Sequence, residues 1–238
     1  MKTIDSLLLS NINKNICVFF LYFIFFLVLF FQFPYHGSLP GHWDTWLHLS
    51  LYNYYWDYFK SMFSNHEIYY AMWPSQVPYF RYGEMSLLSA VLYWPFKWII
   101  KNDLWAYYVH ISSIYALVGF SMYQLSSLFV GSRVLAAIGG LLLVTSNYYL
   151  ASIDQVNVIS AYPGILCFYF ILKWYKTKKI NLLYIASILY GLQIYASGYL
   201  FFYLNIVLLG LGLFYWNTIF KLKNFKHIIS AIFIGILI

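Results

Sequence analysis

The chain alternates long apolar runs with short polar breaks, and the run lengths predict a bundle of membrane helices. Ile16–Pro34 is one nearly unbroken apolar stretch, and about 20 such residues cross the hydrocarbon core of a bilayer. It is longer than the roughly 7–15 apolar residues of a secretion signal and no small-x-small cleavage site follows, so it predicts a retained first span after a tail at 1–15. Further runs occupy 105–130, 134–150, 159–175, 180–198 and 199–216. A last run, 228–238, has only 11 residues, too short to span, which predicts that the chain stops within a helix and resembles the first part of something longer. The expected fold is all-α and multi-pass, with about six complete spans and one incomplete one.

Between the first two runs lies a large loop, 35–104. Within it, 44–64 (DTWLHLSLYNYYWDYFKSMFS) has the spacing of an amphipathic helix lying along the membrane surface. At 100° per residue, Ser50, Asn53, Asp57, Lys60, Ser61 and Ser64 fall on one polar face, and Leu51, Tyr55, Phe59 and Met62 on the opposite one. Asp44 and His48 project with the apolar set, one turn apart. The segment 85–100 is apolar but only 16 residues long and carries Pro95 and Lys97; it predicts an interfacial or re-entrant helix.

Charge fixes the orientation. If 85–100 does not span, ten basic residues lie on the side of the N-terminus and four (Lys60, Arg81, Lys97 and Lys101) on the other. If it spans, the distribution inverts. The excess of Lys and Arg in cytoplasmic segments selects the first arrangement, with the N-terminus cytoplasmic and 35–104 outside. Six of the seven acids then face outward and only Asp5 inward. The composition agrees: 63% hydrophobic and 9% charged excludes an ordinary soluble domain, which runs at about 25% charged. The net charge of +7 resembles that of a nucleic-acid binder, but the cations sit between apolar runs, not in a patch on a soluble fold, so no nucleic acid is expected. The outer segments lack Asn-x-Ser/Thr sites and cysteines, which favours a bacterial cytoplasmic membrane over the endoplasmic reticulum.

The candidate chemistry therefore lies outside. Seven of nine tryptophans fall between Trp43 and Trp105, either as an aromatic belt at the interface or as a platform for sugar rings or an isoprenoid. Asp44 reads as a helix N-cap or as a catalytic acid, and the two roles are compatible. His48 reads as a satisfied, semi-buried histidine or as a ligand contact. Glu67, Trp73, Arg81 and Glu84 lie in a Pro-punctuated loop; Arg81 either pairs with Glu84 or holds a phosphate through its planar fork of donors. Asp154, in the second outer loop, is either solvated or a second acid meeting the first loop. No HExxH, CxxC, GxGxxG or Walker loop occurs.

A cytoplasmic tail, one helix, a large first outer loop with an acid opening an interfacial helix, and then an apolar bundle resembles the GT-C superfamily of membrane glycosyltransferases. Its relatives include the oligosaccharyltransferase catalytic subunit and YfhO-like proteins. The resemblance covers most of the chain and implies a polyprenyl-phosphate-linked sugar as donor. It also implies Asp44 as base or metal ligand, aided by Asp154 or Glu67, with His48, Arg81, Trp43, Trp73 and Glu84 near the substrate. The family often carries an acidic pair in this loop. Here Gly41-His42-Trp43-Asp44-Thr45 has one carboxylate, which leaves a divalent metal (Mg or Mn) open. Two other readings stand beside it. A flippase or transporter for a lipid-linked glycan would use polar residues such as His110, Gln124, Asn147, Gln193 and Asn205 along a pathway. A scaffold without chemistry would keep its outer acids apart.

Overall fold

The computed structural model describes residues 2–38, 43–61, 71–72, 77–78 and 87–214, with isolated helical positions 227, 230, 234 and 235 beyond. These residues form a helical protein: α1 (Lys2–Phe30), α2 (Gln32–Tyr35), α3 (Trp43–Ser61), α4 (Leu87–Ile100), α5 (Asp103–Ser126), α6 (Arg133–Val144), α7 (Asn147–Ala151), α8 (Val156–Ile159), α9 (Tyr162–Thr177), α10 (Ile180–Ala196) and α11 (Gly198–Phe214). One minimal antiparallel pairing, Ala71–Met72 with Val77–Pro78, sits between α3 and α4. The segment expected as a tail, 1–15, is helical from Lys2 onward.

Three helical stretches are long and apolar enough to cross a membrane: Asn13–Tyr35, Arg133–Ala151 and Val156–Thr177. α4, α10 and α11 are apolar but shorter. The central helix α5 is long enough at 24 residues but less apolar. Its position accounts for this, because α1, α4, α6 and α9 all pack on it. A helix enclosed by protein need not be lipid-soluble on every face, and several of its hydroxyls are bonded within the helix. Ser112, Ser113 and Ser121 donate back to the carbonyls of Tyr108 (2.9 Å), Val109 (2.8 Å) and Leu117 (2.6 Å), a common way for hydroxyls to sit within a helix.

The crossing of α1, α5 and α6 is built on small residues. A Cβ at Gly140 would run into the carbonyl oxygen of Gly119 and the hydroxyl of Tyr22, so only glycine lets α6 approach α5 this closely. Tyr22 donates its hydroxyl to the Ala137 carbonyl at 2.5 Å. On the far side, Gln193 of α10 accepts from the Gly164 N–H at 2.7 Å and donates to the Ser160 carbonyl at 3.2 Å. It thereby locks α10 to the start of α9.

The runs expected at 134–150 and 159–175 are each interrupted. The first breaks at Thr145-Ser146, where the Thr145 hydroxyl turns back to the Leu141 carbonyl at 2.8 Å. The second breaks at Ser160-Ala161, ahead of a proline at the start of α9, where its missing N–H costs nothing.

Candidate functional site

Helix α3 brings the loop between α2 and α4 onto the bundle. Thr45, His48, Leu49, Leu51, Tyr52, Tyr54 and Tyr55 are buried, while Ser50 and Lys60 are exposed and Asn53 and Asp57 half-buried. The helix packs along α4. Burial of each large apolar side chain there contributes about 1.5–3 kcal/mol. Trp94 of α4 lies between Trp56 and Phe59, at ring separations of 5.7 and 5.4 Å, and donates its indole N–H to the Tyr52 carbonyl at 3.3 Å.

Asp103, at the first position of α5, ties three helices at one point. It accepts from Asn53 Nδ2 of α3 (3.5 Å) and from the Tyr93 hydroxyl of α4 (3.4 Å), and it forms an ion pair with Lys97. Burial pushes the Lys97 ammonium below its usual value; Asp57 opposes that shift and Lys60 adds to it. Burial likewise raises the phenols of Tyr93 and Tyr55, the latter with a further contribution from Tyr54. Asp103 was foreseen only as one of the outer acids. Its signal was its place, immediately after the N-cap Asn102, whose side chain accepts from the Trp105 N–H.

Beneath this clasp lies a cluster of tyrosines and histidines. His110 of α5 is fully buried, with its ring centre 5.5 Å from Tyr52, 5.8 Å from Tyr93 and 6.1 Å from Tyr107. His48 of α3 stacks at 6.2 Å from Tyr52. The cluster therefore brings rings of α3, α4 and α5 together. Part of its hydrogen-bonding capacity is unused. Among the described residues, both ring nitrogens of His110 and the Tyr107 hydroxyl are buried without a hydrogen-bond partner, as are Asn157 Oδ1 and the Tyr162 hydroxyl nearby. Most buried polar groups are bonded, and an open one costs about 1–3 kcal/mol.

Asp154, half-buried between α7 and α8, stands three residues before Asn157. Its neighbour Ile153 packs against the same core, so this connection borders the cluster. The backbone places Trp43 and Asp44 in the first turn of α3, one turn ahead of His48; their side chains lie outside what is described. Glu67, Trp73, Arg81 and Glu84 lie outside the described residues. Among the described residues no group of three or more His, Cys, Asp or Glu could hold a metal ion.

Of the intramembrane polar residues, Gln193 and Asn205 are engaged locally. Asn205 accepts from the Tyr190 hydroxyl and donates to the Phe201 carbonyl, both at 2.8 Å. His110 is not. Its signal in the sequence was its spacing from Tyr107 and Ile114 on one face of α5, which marks it as facing inward. No known protein family, no curated protein and no solved structure matches the chain.

Proposed function

We propose that the chain is a multi-pass membrane glycosyltransferase that moves a sugar from a polyprenyl-phosphate donor to an acceptor hydroxyl at the outer membrane face, with its N-terminus in the cytoplasm of a bacterial cell. One observation carries the reading. The helix whose first turn carries Asp44 docks its His48 face onto a buried cluster in which both ring nitrogens of His110 and the Tyr107 hydroxyl have no hydrogen-bond partner among the described residues. Hydroxyl-bearing ligands supply the donors and acceptors that such atoms lack, and tyrosine rings suit the C–H faces of a sugar.

In the proposed step the Asp44 carboxylate takes the proton of the acceptor hydroxyl as that oxygen bonds to the anomeric carbon. The bond from the anomeric carbon to the phosphate oxygen breaks, its electron pair leaves with the polyprenyl phosphate, and the configuration inverts, as in base-assisted inverting glycoside hydrolysis. The leaving phosphate needs charge stabilisation, not protonation; Arg81 or Lys101 is the assigned cation. Asp103 and Lys97 position α3, and the reaction is derived without a metal.

The local bonding of Gln193 and Asn205 favours this reading over a polar transport pathway. The test is transfer by the full chain in membranes, with a panel of polyprenyl-phosphate hexoses and release of polyprenyl phosphate as readout. Asp44→Asn is expected to lower turnover by about a thousandfold while insertion and yield stay at the parental level. Full activity in Asp44→Asn would remove the assignment.

A further inference from the structure

A second polar site lies at the opposite end of α5 from Asp103. A cavity of about 380 Å³ opens between α1, the end of α5 and the start of α6, lined by Asn15, Tyr123, Gln124, Ser127, Ser132 and Arg133. Its size falls in the range of small-ligand sites, about 300–1,000 Å³. The wall is held in place: the Tyr123 hydroxyl donates to Asn15 Oδ1 at 3.2 Å, and Ser127 Oγ to the Gln124 carbonyl at 2.6 Å. No acid lines it. Two further cations stand at its rim. Lys14 is exposed beside Asn15, and Lys176 of α9 reaches across to donate to the Leu128 carbonyl at 2.7 Å.

The surface next to the cavity is apolar. Val134, Ile138 and Leu142 are exposed at spacings of four residues along α6, at 69%, 45% and 66%, so they form a stripe that leads from Arg133 toward the middle of the membrane. A polar, cationic cup joined to an apolar stripe matches an amphiphile with a negative head. We propose that this cavity holds the phosphate headgroup of an anionic phospholipid of the cytoplasmic leaflet, with the acyl chains along Val134, Ile138 and Leu142. The cup by itself suits any phosphate; the stripe selects the lipid. Basic pockets between membrane helices on the cytoplasmic side take such headgroups.

Native mass spectrometry of the full chain in neutral detergent tests this, with phosphatidylglycerol and phosphatidylcholine of identical chains as probes and glycerol phosphate as competitor. Phosphatidylglycerol is expected to bind several-fold more tightly than phosphatidylcholine. Arg133→Gln is expected to weaken phosphatidylglycerol about fivefold and leave phosphatidylcholine unchanged, and glycerol phosphate is expected not to displace the lipid. Ser127→Phe, which fills the cup without touching charge, is expected to abolish the preference, and it serves as the test if Arg133→Gln does not fold. Equal binding of the two lipids, or a preference that survives both variants, would overturn the proposal. Displacement by glycerol phosphate at concentrations similar to the lipid would assign the cup to a free phosphate instead.

Discussion

Two clusters of buried tyrosine sit on the same central helix and are built in opposite ways. At the α1–α5–α6 crossing, the Tyr22 hydroxyl is bonded to the Ala137 carbonyl, and Gly140 lets the backbones touch. Nearer the start of α5, His110 and Tyr107 are equally enclosed, yet the ring nitrogens of the one and the hydroxyl of the other have no partner among the described residues. The first cluster is spent on the fold. The second keeps its hydrogen-bonding capacity and carries the associated cost, the usual sign of a place reserved for something else.

The contrast can be broken first at the crossing. Gly140→Val is expected to cost about 3 kcal/mol or more by overpacking against the Gly119 carbonyl, read as early unfolding in detergent, while the few molecules that fold keep their turnover. At the start of α5, Asp103→Asn is expected to cost only about 1 kcal/mol, because the pair with Lys97 is partly exposed. Turnover should nonetheless fall about tenfold as α3 loses its anchor and Asp44 its placement; a variant that lost stability and turnover in proportion would show Asp103 to be merely structural. The smallest effect is expected at the exposed pair Lys60–Asp57, 3.3 Å apart. Lys60→Ala should shift stability by less than about 0.5 kcal/mol and leave turnover alone.

The helical class and the candidate spans at Asn13–Tyr35, Arg133–Ala151 and Val156–Thr177 were legible, because apolar length is written directly into the sequence. The burial of the first part of α3 follows its 100° spacing, with Leu51, Tyr55 and His48 inward and Ser50 and Lys60 outward; Phe59, expected on the inner face, is exposed near the end of the helix, and Met62 lies outside the described residues. The breaks at Thr145-Ser146 and Ser160-Ala161 were not legible, since a hydroxyl inside an apolar run does not by itself end a helix: Ser112 and Ser121 turn back to the chain in the same way and α5 continues. The site was half legible. Asp44 and His48 stood out as polar residues on an apolar face. The Asp103 clasp and the unpartnered His110 depend on which helices meet, and α3, α4 and α5 come together only in the folded bundle.

Paired measurement of stability and turnover for His110→Phe and Tyr22→Phe tests the central claim most directly. Phenylalanine fills either ring site and removes only polar atoms. His110→Phe is expected to fold as well as the parent, or more stably by up to about 1 kcal/mol because the open nitrogens vanish, and to lose at least tenfold in transfer. Tyr22→Phe is expected to lose about 1 kcal/mol of stability with its bond to Ala137 and to retain transfer within twofold. Both losses falling on stability, with transfer by His110→Phe unchanged, would contradict the account.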